Sequence, residues 1–291
     1  MSVAIVTDSL ADLPPSLAQE MGIRVVPLNV HFGTESYRDG VDISADEFYA
    51  RLPQSTPLPK TSAPSTGDFV EAYREGLKKA EAVVSIHAST KLSGTYNSAM
   101  MAKQHVVDEW KARGKDGKTP PDIRVVDTAW VSMGEGMMAV VAARAAKAGA
   151  GADEVEKAVQ DVRSRTRCAI LVDTLDYLVK GGRIGKAQGF VGSLLKLKPL
   201  LEIREGEVHP LERVRTYAKA YERLHELAAR NAPMESVAVV YSTTPQEAKD
   251  LLDRLKGQAQ SGCAYIAQIG PVVGTYAGPG CVAVMWVEGK R

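Results

Sequence analysis

Four short, strongly apolar runs organise the first half of the chain, and stretches of helical periodicity separate them. The runs are 3–6, 23–32, 82–87 and 123–127, and the segments 46–51, 67–80, 94–110 and 134–148 read as helices around them. A run that is apolar at nearly every position has both faces buried, as strands of a parallel sheet do. Strands alternating with helices form βαβ units around such a sheet. A polar break of Gly, Lys and two prolines falls at 114–121. The second half reads differently. Strands are expected at 169–175, 199–204, 207–214, 237–241, 264–269 and 281–287, with helices at 218–230 and 245–258. Glu205-Gly206 lies between two of these strands and suits a tight hairpin turn. Two strands joined by such a turn are antiparallel, so the second sheet is mixed. Gly149-Ala150-Gly151 ends a helix and Asp153 is placed to cap the next. The expected fold class is therefore α/β in two domains. A small parallel-sheet α/β/α domain takes 1–157, and an α/β domain with a six-stranded mixed sheet takes 158–291.

A chain of 291 residues buries a full core without covalent staples. Lys and Arg number 36 against 35 Asp and Glu, a balance that argues against nucleic acid as a partner. Cys168, Cys263 and Cys281 are far apart and odd in number, which fits reduced thiols rather than a disulfide framework. The five histidines show no metal-ligand spacing; His225-Glu226 is followed by Ala229 where a second zinc-binding histidine would stand, so no metal site is expected. The N-terminal segment lacks a basic stretch followed by a long apolar run, and no stretch reaches about 18 apolar residues, so a cytoplasmic protein is expected.

Short polar motifs sit where the apolar runs end. In open α/β sheets ligands bind beyond the carboxyl ends of the strands, so these positions matter. They are Thr7-Asp8-Ser9, Lys60-Thr61-Ser62-Ala63-Pro64-Ser65, Lys91-Leu92-Ser93-Gly94-Thr95 and Asp127-Thr128. Any one of them also serves as a helix cap. Four in one domain favour a shared, hydroxyl-rich site.

Enzyme signatures fail one by one. Leu92-Ser93-Gly94 lacks the leading glycine of a hydrolase elbow. Gly181-Gly182-Arg183-Ile184-Gly185-Lys186 has the wrong spacing for a P-loop, and Ala187 replaces the magnesium-binding hydroxyl. Gly134-Glu135-Gly136-Met137-Met138-Ala139 matches a dinucleotide fingerprint without its distal acid, and close helix–sheet packing explains the glycines better.

The chain resembles the DegV family, whose motifs fall here in order along the whole length. They include Thr7-Asp8-Ser9 with Asp12-Leu13-Pro14, Tyr37-Arg38-Asp39, Lys60-Thr61-Ser62-x-Pro64-Ser65, Leu92-Ser93-Gly94-Thr95-Tyr96, and Ser132-Met133-Gly134-x-Gly136. Leu178-Val179-Lys180-Gly181-Gly182-Arg183, Lys198-Pro199, Val214-Arg215-Thr216 and Gly274-Thr275-x-x-Gly278-Pro279-Gly280 complete the set. The resemblance implies a two-domain α/β fold that binds one long-chain fatty acid, such as palmitate, and needs no cofactor. It also implies a partner: the ATP-binding subunit of a bacterial fatty acid kinase, to which the acyl carboxylate is presented. On the same ground Thr61 and Ser93 bind the carboxylate, with the Gly94 backbone nearby. Tyr276 stands where the family pattern carries a histidine, and Ala277 where it carries a threonine. A phenol still offers a hydrogen bond there, but the imidazole's titration near neutrality is gone.

The residues themselves are compatible with that implication. Burying an acyl chain of about 16 carbons at ~0.8 kcal/mol per methylene gains roughly 10 kcal/mol gross. Such a ligand needs a narrow aliphatic tunnel, and aromatic residues are only 6% of this chain. Hydroxyl donors orient a carboxylate without locking it into an ion pair. Basic residues in the second half (Arg163, Arg165, Arg167, Arg183, Lys196, Lys198, Arg204, Arg213 and Arg215) fit a solvated surface for the most part. Arg183 in its glycine-rich loop, followed by Arg215, is the candidate for docking a kinase. The same cations suit transient contact with an anionic membrane surface. No residue is expected to be catalytic. The competing reading is a stand-alone phosphoryl or acyl transferase with Ser93 as nucleophile.

Overall fold

The computed structural model describes residues 2–113, 119–191 and 197–290. Its elements in chain order are strand β1 (Val3–Asp8), helix α1 (Pro15–Met21), β2 (Ile23–Val26), β3 (Asn29–Phe32), β4 (Glu35–Arg38), α2 (Ala45–Arg51), β5 (Lys60–Ser62), α3 (Thr66–Lys79), β6 (Ala82–His87), α4 (Thr95–Ala112), β7 (Asp122–Asp127), α5 (Met133–Lys147) and α6 (Ala152–Arg165). There follow β8 (Thr166–Leu171), α7 (Asp176–Lys180), β9 (Lys198–Arg204), β10 (Glu207–Val214), α8 (Tyr217–Ala229), β11 (Met234–Tyr241), α9 (Pro245–Leu255), β12 (Ala264–Gln268), α10 (Pro271–Ala277) and β13 (Val282–Glu288).

The first sheet is four-stranded and parallel, in the order β2-β1-β6-β7. All six residues of the interior strand β6 are buried, its apolar residues together with the polar Ser85 and His87. Helices α3 and α4 cover one face, where Phe69, Tyr73 and Val106 pack on Val6, Val83 and Ile123. Ser65 and Asp68 start α3 with a reciprocal cap, so the last hydroxyl of the Lys60–Ser65 motif is a helix cap. The second sheet has six strands in the order β10-β9-β8-β13-β11-β12 and is mixed, with only β11 and β12 parallel. Its outer face is covered by α8 and α9 through Ala220, Leu224, Leu251 and Leu255. Helices α5 and α6 fill the space between the sheets, so one core joins Val84 and Ile86 of the first sheet to Ala238, Val240 and Met285 of the second. Residue 157 lies inside α6.

The turn at Glu205-Gly206 is as expected: both residues take positive φ, 52° and 82°, the pairing a tight hairpin favours. The β10 ladder slips between Pro210 and Glu212, where a proline has no N–H to give. Gly136 is small because α5 crosses close to the chain: a Cβ there would lie 2.7 Å from the Ala11 carbonyl oxygen. At Gly134 a Cβ would lie 2.9 Å from the Trp130 ring, so both glycines serve close packing, against a turn and a tryptophan rather than against the sheet.

Three expectations need correction. The run 23–32 is two strands, because Pro27 breaks the ladder and turns the chain out of the sheet. Only β2 joins the parallel sheet. Its continuation β3 centres a three-stranded antiparallel sheet, β4-β3-β5, whose short and mixed-polarity strands give almost no sequence signal. Gly151, not Asp153, is the cap of α6; Asp153 sits in its first turn and pairs with Arg124. The strand expected at 169–175 runs instead as Thr166–Leu171, because pairing with β13 extends it backward. Of the polar break at 114–121, residues 114–118 lie outside the described residues, as does Lys196.

Candidate functional site

Alternation along the second sheet sends Ala169, Leu171, Val237 and Val239 to the outer core and their neighbours to the inner face. On that inner face Ile170, Leu201, Ile203, Val208, Val240, Ala283 and Met285 line a pocket. Leu10, Val131, Val273 and Ala277 line it from above, so both halves of the chain build it. The space between these side chains, mouth included, is ≈ 780 Å³. The wall is almost entirely hydrocarbon, and its polar side chains are Ser93, Ser132, Arg183 and Tyr276.

Thr61 and Tyr276 meet at this mouth. Thr61 sits on β5, opposite Val30 of β3, and its Oγ1 lies 2.6 Å from the phenolic oxygen of Tyr276 on α10. Arg183 follows Gly181-Gly182. Its guanidinium carbon is 4.8 Å from the Tyr276 ring centroid, its Nε donates to the Leu92 carbonyl at 3.2 Å, and its Nη1 donates to the Gly181 carbonyl at 2.8 Å. Tyr276 packs so closely on Gly181 that a Cβ has no room there. Ser93 lies half-buried just ahead of α4. Its Oγ accepts the Thr95 N–H at 3.3 Å and shares a 2.8 Å hydrogen bond with the Thr95 hydroxyl. Gly94 is the exposed N-cap of α4. Four expected positions, Thr61, Ser93, Arg183 and Tyr276, therefore converge from a strand, two loops and a helix. Thr61 touches Tyr276 and reaches the pocket only through it.

Arg215 is not part of the constellation. It is exposed just past the end of β10 and does not line the pocket. The other basic residues are mostly paired on the surface: Arg165 with Asp161 and Glu235, Arg167 with Glu288, and Lys198 with Asp173. Arg213 stacks 4.4 Å over Phe190.

Thr7-Asp8-Ser9 points elsewhere, into a buried polar network. Asp8 accepts the Leu10 N–H at 2.9 Å and meets His87 Nδ1 at 2.7 Å, while His87 Nε2 meets Ser85 Oγ at 2.7 Å. Thr7 donates to Glu135 at 3.0 Å. Asp8, His87 and Glu135 bring donor atoms within 4.8 Å of one another, a gathering of distant residues that no sequence spacing reveals. Burial, and then the charge of Asp8, push the Glu135 carboxyl well above the usual range, so it is held protonated.

A second buried set flanks α10. Asp12 Oδ1 accepts the Gly270 N–H at 2.8 Å, and Asp12 Oδ2 bonds Ser132 Oγ. Asp39 faces the Val272 N–H and the Ser9 hydroxyl, and its Oδ2 is buried with no hydrogen-bond partner. Burial drives Asp12 up to about 8 and Asp39 to about 7. Ser132 holds a positive φ of 56°, a strained conformation for a serine that its bonds to Leu10 and Asp12 fix in place.

The family described as "Uncharacterised protein, DegV family" matches residues 2–289. The chain belongs to the DegV family. A DegV domain-containing protein of Streptomyces coelicolor is 39% identical over 97% of this chain and 97% of its own length. Among solved structures, a DegV family protein of Thermus thermophilus, described by its fatty acid binding, superposes with a TM-score of 0.86 at 34% identity, covering 99% of this chain and 100% of that one. A stearic acid-binding protein of Eubacterium ventriosum superposes with a TM-score of 0.85 at 27% identity, covering 98% of each chain. The DegV fold thus accounts for both sheets. No helix among the described residues is long and apolar enough to cross a membrane.

Proposed function

We propose that this chain binds one long-chain fatty acid in the inner-face pocket and presents its carboxylate at the mouth to a separate ATP-dependent fatty acid kinase subunit. The observation that carries the binding is the pocket itself: an aliphatic wall on Ile170, Leu201, Val240 and Met285, with hydroxyl and guanidinium groups gathered at one place. Hydrocarbon burial supplies the affinity. Ser93 and the Thr61–Tyr276 pair orient the carboxylate, with the Gly94 backbone beside them, and Arg183 is the docking and charge-stabilising group. The chain divides functionally at 157/158, with the head-group loops Thr61 and Ser93 on one side and most of the acyl wall on the other. The carrier works in the cytoplasm and collects acyl chains by transient contact with a membrane surface.

The bonding of Ser93 argues against a stand-alone transferase. Its hydroxyl is engaged by Thr95, and neither group of Thr95 is a base that would activate a nucleophile. The deciding experiment is mass spectrometry of the purified protein, denatured and extracted. A stoichiometric free fatty acid supports the carrier. An acyl adduct on Ser93, or extraction of no lipid from protein that also fails to bind added fatty acid, overturns it.

A further inference from the structure

The far end of α10 from Tyr276 is gripped by two carboxyl groups. The Gly270 N–H points to Asp12 and the Val272 N–H to Asp39. Both carboxyls crowd the glycine: a Cβ at position 270 would lie 3.0 Å from Asp39 Oδ1 and 3.2 Å from Asp12 Oδ1. Asp12 also bonds Ser132, which lines the acyl pocket. On their other side the two acids line an open groove with Pro14, Arg24, Val41 and Gln268. One short helix therefore has a buried acidic grip at its start, at the floor of a groove, while Val273, Tyr276 and Ala277 further along it line the pocket.

We propose that Asp12 and Asp39 are positioning residues for the acyl site: they hold the first turn of α10, and through it Tyr276, so that bound fatty acid is released faster as the pH rises. This rests on the fatty-acid reading of the pocket. The physical basis is desolvation. A carboxyl group in this grip prefers to keep its proton, whereas the same group hydrated after α10 loosens ionises near its ordinary value of about 4. The docked helix binds more protons than the loosened one, so docking is strongest at low pH and weakens as the pH climbs towards the raised values. The proton leaves to solvent through the groove. In the protonated state Asp12 Oδ1 still accepts the Gly270 N–H and Oδ2–H turns to donate to Ser132, so the grip exists in both states but loses ground when charged.

The groups facing this pair reinforce the direction. Asp8 from β1 and Glu135 from α5 lie near Asp12, and Asp8 also repels charge on Asp39. Tyr49 from α2 and Cys281 ahead of β13 are buried close by and held neutral. Arg24 lines the groove, but it is exposed and turned to Glu75 at 3.7 Å. Tyr241 lines the groove from β11.

The test follows release of a pyrene-labelled long-chain fatty acid from the full chain to serum albumin between pH 6 and pH 8.5. Wild type is expected to release about fivefold faster at the upper end, below the ceiling of about tenfold per pH unit for one group. Asp12→Asn and Asp39→Asn keep an acceptor but cannot ionise, and each should flatten the profile to under about twofold. The ligand's own titration is common to all three proteins, so an unchanged slope in folded asparagine variants overturns the proposal. Hydrogen exchange of the ligand-free wild type, corrected for the intrinsic pH dependence, supplies a second measurement. Protection of amides 271–277 should fall with pH, and pH-independent protection overturns the latch even if the variants do not fold. Because that measurement needs no ligand, loss of fatty-acid binding altogether would refute the carrier while leaving the latch separately tested.

Discussion

Thr61 and Tyr276 are 215 residues apart in sequence, yet their hydroxyl groups share a 2.6 Å hydrogen bond at the mouth of the pocket. One is carried by the small antiparallel sheet and the other by α10. The bond fixes the phenol, and the phenol fixes the plane on which Arg183 lies.

Removing these hydroxyls should weaken fatty-acid binding without unfolding the protein. Thr61→Ala and Ser93→Ala are each expected to cost about 1–3 kcal/mol of affinity, the scale of a lost hydrogen bond to a charged group. Tyr276→Phe keeps the ring under Arg183 and should fall at the lower end. Titration with a fluorescent fatty acid measures all three, and full affinity in both alanine variants would remove the carboxylate from this mouth.

Arg183 bonds the Leu92 carbonyl next to Ser93, so its loss should loosen the mouth as well as remove a docking group. Arg183→Ala is expected to lower fatty-acid affinity by about tenfold or less and to abolish acyl-phosphate formation with an added fatty acid kinase subunit. Arg183→Lys should restore affinity better than turnover, because an ammonium lacks the planar fork. Equilibrium binding and coupled ATP turnover, measured on the same preparations, separate the two effects.

The aliphatic wall predicts a steric test. Ala283 is 2% exposed and lines the pocket from β13. Ala283→Leu projects three more carbons into space the acyl chain needs. Uptake of long acyl chains should drop by about tenfold or more, with a shorter chain such as an eight-carbon acid affected least. Thermal unfolding should shift little, because the added carbons fill a cavity rather than a packed core.

Gly136 sets a limit on the packing between α5 and the first turn of the chain. Gly136→Ala forces a methyl group against the Ala11 carbonyl and is expected to destabilise by about 1–3 kcal/mol. Urea unfolding measures it, and an unchanged midpoint would mean that α5 moves aside freely.

Global stability should depend on pH with a definite sign. The Asp12 carboxyl is raised from 3.8 to about 8 when folded, mainly by burial. The folded chain therefore holds a proton that the unfolded chain gives up, so this contribution is full below about pH 4 and is lost as the pH rises towards 8. Glu135, raised by the same cause, acts in the same direction. Urea midpoints should fall from pH 5.5 to pH 8.5, on the order of 1–3 kcal/mol, and Asp12→Asn should shrink that fall.

What sequence reading reached, and what it did not, follows from range. The parallel sheet was legible because interior strands such as β6 are mainly apolar, and the hairpin because Glu205-Gly206 has turn chemistry. β4 and β5 were not, and β3 was read only as the tail of β2, since four- and three-residue strands of mixed polarity carry too few positions to show alternation or a boundary. Thr61, Ser93, Arg183 and Tyr276 were singled out from family motifs, and only tertiary folding shows that they converge while Arg215 stays away. The roles proposed for Asp12 and Asp39 had no local signal: an acid two residues before a proline, as in Asp12-Leu13-Pro14, looks like any loop residue until its burial against a distant helix is known.

The slip in the β10 ladder at Pro210 has a consequence for crowded solutions. A carrier with an unloaded apolar pocket is exposed to self-association, and a sheet margin with a free row of amides is the usual template for it. Here the outermost strand of the six-stranded sheet has its pairing broken between Pro210 and Glu212, and the segment 185–190 packs against it. Strand-on-strand growth into fibrils is disfavoured at that margin, and a visiting protein must recognise side chains rather than add a strand of its own.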